Sequence, residues 1–136
     1  MGITLEFELF QIFLISQVWL NLSKQYIKDI NLDWNKVRRI AFNDRSNPDD
    51  HELGVQIVKD LHRTGCSGFS GQNNEQDRAL LKRVLLAFAR YNKSVGYCQG
   101  FNIIAAQILE IVDKKEEDAF MCMVSYHYWS RNFERF

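Results

Sequence analysis

The sequence predicts an all-α fold. Apolar residues recur at the i, i+3, i+4, i+7 spacing that gathers them on one side of a helix. No long run alternates apolar and polar residues as a half-buried strand would, and the chain holds a single proline, Pro48. With 136 residues, 46% of them apolar and 25% charged, it has the make-up of an ordinary globular domain, or of one piece of a larger one.

A first helix is expected from about Ile12 to Ile30. A second follows Asp33, with Trp34, Val37, Ile40 and Ala41 along one side, and stops in the polar stretch from Asn43 to Pro48. Asp49 or Asp50 can cap a third, which carries Leu53, Ile57 and Leu61, and an acid there also suits the positive end of the helix dipole. Three glycines between Thr64 and Asn74 argue for a mobile loop. The fourth helix is the clearest: it starts near Asn74 and sets Leu80, Leu81, Val84, Leu85, Phe88 and Tyr91 on one face. Arg78, Lys82, Arg83 and Arg90 lie around the remainder. Asn92 to Gly96 ends it. A fifth helix runs from near Gln99 to Val112, with Phe101, Ile104, Ala105, Ile108, Leu109 and Val112 mostly buried. A charged connector from Asp113 to Glu117 leads to a sixth helix over roughly Asp118 to Tyr128. The aromatic-rich ending from Tyr126 to Phe133 is of the kind that covers a neighbour.

Several function classes are disfavoured. The formal net charge is zero, and a short basic run, Lys36 to Arg39, reads as a solvated helix face rather than a nucleic-acid footprint. The glycine-containing loop is not G-x-G-x-x-G, no strand precedes it, and no Walker-type phosphate loop occurs, so no nucleotide site of its own is expected. Cys66, Cys98 and Cys122 are odd in number and widely spaced, which suits packed thiols in a reducing cytosol. His62 and Cys66 have a loose metal-like spacing without a second ligand pair, so no zinc site is expected. The apolar run from Leu9 to Leu22 follows Glu6 and Glu8 with no basic residue, unlike a signal peptide. It is too short for a bilayer core and is broken by Gln11, Ser16, Gln17 and Asn21. Met1-Gly2 invites myristoylation, but Glu6 stands where Ser or Thr is wanted. A buried or interface helix is the expectation for this stretch.

Two segments do more than pack. Gln56 to Thr64 ends a helix and enters the loop, and Tyr97-Cys98-Gln99-Gly100 sits where one helix ends and another begins. Arginine and glutamine at such junctions can project from a rigid frame. Ile57-x-x-Asp60-x-x-Arg63-Thr64 resembles the I-x-x-D-x-x-R-T signature of the TBC domain family, and Tyr97-x-Gln99-Gly100 resembles its Y-x-Q-G signature. The two occur in the family's order, a loop and one amphipathic helix apart, and Trp19 falls where the family's early tryptophan is expected.

The resemblance implies an all-helical domain that accelerates GTP hydrolysis by Rab-type small GTPases, regulates vesicle traffic, and works in the cytoplasm at endomembranes reached through its partner. Arg63 would be the arginine finger and Gln99 the glutamine finger, both supplied in trans. A planar, permanently charged guanidinium stabilises the charge that spreads over the transferred phosphoryl group. Such a residue is worth about 10³–10⁵ in rate, or roughly 4–7 kcal/mol. A glutamine amide both donates and accepts, so it can orient the attacking water. Asp60, one turn before Arg63, is expected to orient the local backbone or Arg63 itself. Thr64 would cap or tie the loop, Tyr97 would pack, and Gly100 would permit close approach. Magnesium and GTP would arrive with the Rab, and no cofactor of the chain's own is implied.

The chain departs from the family in two places. Ile15 stands where the first motif has an arginine, and residues 1–18 form a divergent apolar segment, leaving 19–136 as a partial TBC domain. The family continues through a further helical subdomain that grips the Rab. About six helices of the N-terminal subdomain are therefore expected here, without the C-terminal one. Two functions follow from this: a GTPase activator, or a TBC fragment of little activity that serves as a binding module.

Overall fold

Six helices follow one another in the computed structural model, which describes residues 2–43, 48–63 and 74–133, with side chains described over 4–43, 50–61 and 75–132. They are α1 (Gly2–Asp29), α2 (Trp34–Ala41), α3 (Pro48–Arg63), α4 (Asn74–Tyr91), α5 (Phe101–Ile111) and α6 (Glu116–Phe133). The described residues contain no strand. The loop from Thr64 to Asn73, with Cys66, lies outside the described residues, as does the side chain of His62.

α4 is the hub. It packs against α2, α3, α5 and α6, while α1 lies along α5 and α6. The apolar face read from the sequence is the reason: Leu81, Val84, Leu85 and Phe88 are buried, with Ala87 and Ala89 beside them. Phe120 of α6 fills the centre, stacked on Trp34 at 5.2 Å and meeting Phe42 and Tyr91 edge-on. Aromatic pairs in these geometries add to the area they bury.

The helix ends show where local chemistry overrode the expected boundaries. Asp33 caps α2, its carboxylate accepting from the Lys36 N–H at 3.3 Å. Ala41 is buried and Trp34 and Val37 are half-buried, but Ile40 is 54% exposed. Residues 34, 37 and 41 are spaced three and four apart and share a face; residue 40 falls off it. α3 begins on Pro48 itself, because the first helical position needs no N–H and suits proline's fixed φ. Asp49 and Asp50 therefore lie inside the first turn rather than ahead of it, and Asp50 turns to Arg90. α5 starts at Phe101, two residues later than expected, leaving Gln99 in the preceding turn. α6 takes in part of the charged connector. Glu116, Glu117 and Asp118 form its first turn, where acids complement the helix dipole. Arg83 pairs with Glu116 at 2.9 Å and Arg38 with Glu117 at 3.3 Å. The basic run of α2 is thus partly neutralised within the chain.

The expectation that the apolar N-terminal run would be buried is overturned within this chain. α1 starts ten residues earlier than expected, at Gly2, and buries only Ser16, Ser23 and Ile27 among its described side chains. Ten large apolar side chains from Leu5 to Leu22 are 40–59% exposed. The buried side chains of α1 all lie in its second half, and the interface alternative is taken up below. No described helix is long and apolar enough to cross a membrane.

Of the two described cysteines, Cys122 is buried against Ser23 and Cys98 is exposed. Burial pushes the Cys122 thiol up to about 11, the contact with Ser23 opposes this, and the nearby Asp118 charge adds to it. A thiolate is the reactive form. In the folded chain a thiol reagent is therefore expected to label Cys98 rapidly, and Cys122 only on unfolding. Peptide mapping after a short pulse checks this, and early label on Cys122 would contradict its burial.

Candidate functional site

The two motif segments meet at the end of α3 and the turn before α5. α3 runs through Ile57, Asp60 and Leu61, all buried, to Arg63, its last residue. Ile57 and Leu61 anchor the helix in the core, and Asp60 and Arg63 are one turn apart, so they lie on the same side of it. The Arg63 side chain and Thr64 lie outside the described residues.

The second segment is built by Asn92. After α4 ends, the Asn92 carbonyl accepts from Val95 at 3.2 Å and Gly96 at 2.8 Å, and its side-chain oxygen accepts from the Ser94 hydroxyl at 2.8 Å and the Val95 N–H at 3.3 Å. Asparagine is suited to this because a short side chain can close a turn on its own backbone. Gly96 then takes a left-handed φ of 60°. The chain is thereby turned so that Tyr97 goes inward, 7% exposed, while Cys98 and Gln99 face solvent. Gly100 has φ 102°, a conformation that side chains resist, and its carbonyl accepts from Ile103 and Ile104 to open α5. A Cβ added there would meet nothing among the described residues within 4 Å. Among the described residues the glycine answers to backbone conformation.

A hydrogen bond between described residues joins the segments. The Tyr97 hydroxyl donates to Asp60 Oδ2 at 2.6 Å, both residues being buried. Tyr97 was expected only to pack. It does pack, edge-on to Phe101 at 6.5 Å, which in turn meets Phe88. The bond to Asp60 was not foreseen, because residues 37 apart in sequence give no spacing signal. A charge-assisted bond of this kind is short and strong. It sets the residue one turn before Arg63 against the residue two before Gln99.

Burial raises the Tyr97 hydroxyl well above the usual 10.0, with the hydrogen bond to Asp60 and its negative charge adding, then Cys98. Burial also raises Tyr91, as it does Tyr26, whose neighbours Tyr91 and Tyr128 add to the effect. A raised folded value means the fold keeps a proton that the unfolded chain releases. Stability from these groups is intact below 10.0 and falls as pH rises above it. Tyr97→Phe is expected to cost about 2 kcal/mol, since a buried carboxylate loses a partner. The gap between wild type and Tyr97→Phe should stay constant up to pH 10.0 and narrow above it. Urea midpoints on either side of that pH measure both. An equal gap throughout would show that the hydroxyl does not hold its proton in the fold.

Among the described residues no group of three or more His, Cys, Asp or Glu could hold a metal ion.

An all-helical chain whose Asp-x-x-Arg helix end is fastened to a Tyr-x-Gln-Gly turn defines a class, and comparison with known proteins agrees with it. The Rab-GTPase-TBC domain family matches residues 14–135, and the chain belongs to that family. Over 108 residues it is 61% identical to TBC1 domain family member 30 of Xenopus tropicalis and to that of Homo sapiens, a stretch that covers 79% of this chain and 12% of each of those proteins. Growth hormone-regulated TBC protein 1 of Xenopus tropicalis is 36% identical over 111 residues, covering 79% of this chain and 31% of that protein. The chain thus spans well under two thirds of the length of these relatives. No solved structure matches it.

Proposed function

We propose that this chain is a GTPase activator for a Rab-type small GTPase, with Arg63 and Gln99 as fingers supplied in trans. The observation that carries the reading is the Tyr97–Asp60 bond at 2.6 Å. Catalysis by fingers is a matter of placing, since neither an arginine nor a glutamine needs a shifted pKa to act. Asp60 and Tyr97 act as positioning residues: each lies within three residues of a finger, and their bond makes the two finger-bearing segments one rigid unit. Preorganised donors cost no reorganisation when charge develops on the phosphoryl group. Gly100 lets the turn present Gln99 outward. GTP and Mg²⁺ belong to the GTPase. A Rab partner would bring the chain to endomembranes from the cytoplasm, in keeping with a part in vesicle traffic.

The test is single-turnover GTP hydrolysis across a panel of Rab proteins with the full chain, Arg63→Ala and Gln99→Ala. Acceleration is expected on at least one Rab, and Gln99→Ala should lower it by about 10²-fold or more. Absence of acceleration on every Rab by the folded chain would overturn the activator reading. If such a chain still bound a GTP-loaded Rab, it would instead be a binding module.

A further inference from the structure

The surface of α1 is the least satisfied in the described structure. Leu5, Phe7, Phe10, Phe13, Ile15 and Val18 are each 51–59% exposed. A helix that is apolar on every side is normally buried. At roughly 100 Å² for each half-exposed side chain, the ten between Leu5 and Leu22 show about 1,000 Å², while a stable complex buries about 800 Å² per partner.

The charges on α1 indicate what covers part of this surface. From Leu9 to Ser23 there is no charged residue; Glu6 and Glu8 stand before that stretch, and Lys24 and Lys28 after it. Glu6 and Lys24 are 18 residues apart, about five turns, so they lie on one line along the helix. Between them Phe10, Phe13, Gln17 and Leu20 follow at spacings of four and three, the stripe along which two helices pack. Leu20 is half-buried and the other three are exposed. We propose that this stripe pairs antiparallel with α1 of a second copy of this chain, about a two-fold axis opposite Ile15. Glu6 then faces the partner's Lys24, Phe10 the partner's Leu20 and Phe13 the partner's Gln17, each contact occurring twice. Parallel pairing would set Glu6 against Glu6. A lipid surface is the poorer occupant, since residues 1–23 contain no Lys or Arg, whereas helices that lie on membranes carry a basic face.

The full 136-residue chain should sediment as a concentration-dependent species of twice its 16.0 kDa. Glu6→Lys and Lys24→Glu should each weaken the dimer by about threefold to tenfold, the effect of turning two exposed ion pairs into like-charge contacts, and the two changes together should restore it. Phe10→Ser with Phe13→Ser should weaken it by at least about 100-fold. Should that variant lose helical circular dichroism, the charge-swap series still decides. A monomer at the highest soluble concentration overturns the proposal, as do open-ended aggregates or a dimer indifferent to the charge swaps. A monomer that floats with phosphatidylcholine vesicles overturns it in favour of lipid.

Discussion

Arg63→Ala is expected to abolish most of the Rab activation proposed for this chain, lowering the stimulated rate by about 10³–10⁵. That corresponds to roughly 4–7 kcal/mol of transition-state stabilisation. In the proposed reading Arg63 is the arginine finger. It is the last residue of α3, a helix fixed by buried Ile57 and Leu61 and by the Asp60–Tyr97 bond. Binding and catalysis should separate in the data. Loss of an interaction made only in the transition state lowers kcat with little effect on the affinity for the GTP-loaded Rab. Arg63→Lys should recover little, because an ammonium cannot reproduce the guanidinium fork. Arg63→Ala should melt at the wild-type temperature. An unchanged stimulated rate would remove Arg63 from the finger role while leaving the fold intact.

Much of this could be read from the chain, and the failures have physical causes. The core face of α4 was legible because Leu81, Val84, Leu85 and Phe88 repeat at the helical period, and each is buried. Both motif segments were legible as short patterns of unlike residue types. The Tyr97–Asp60 bond was not, since it depends on how a turn built by Asn92 aims one hydroxyl across the core. Nor was the exposure of α1, because apolar content tells what a segment would gain from burial and not whether a neighbour is there to supply it. Arg90 was read as one of several basic residues on the polar side of α4. Its real place depends on the end of α2 and the start of α3 converging on it, which periodicity along one helix cannot show.

That convergence makes Arg90→Ala a large stability effect. The guanidinium gives Nε and Nη2 to Asp50 Oδ2 at 3.1 and 2.7 Å, and Nη1 to the carbonyls of Ala41 at 2.8 Å and Asn43 at 2.9 Å. The Arg90 and Asp50 side chains are only 18% and 13% exposed. One planar group thus closes the C-terminal end of α2, where a cation also suits the helix dipole, and fastens the first turn of α3 to α4. Removing it strands a carboxylate and a helix-end carbonyl in a mostly dry site, and breaking such a pair costs about 3 kcal/mol. For a domain of this size that is a fall of about 10 °C in Tm. Asp50→Ala should cost less, because Arg90 keeps its two carbonyl partners. Asp50→Ala with Arg90→Ala should cost less than the two single changes added, because the second change removes the charge that the first left unpaired. Arg90→Lys should fall between wild type and alanine, keeping the charge and losing the fork. Thermal melts of the four variants order these effects, and an Arg90→Ala melt within about 0.5 kcal/mol of wild type, the range of an ordinary surface change, would show that the junction is held by packing alone.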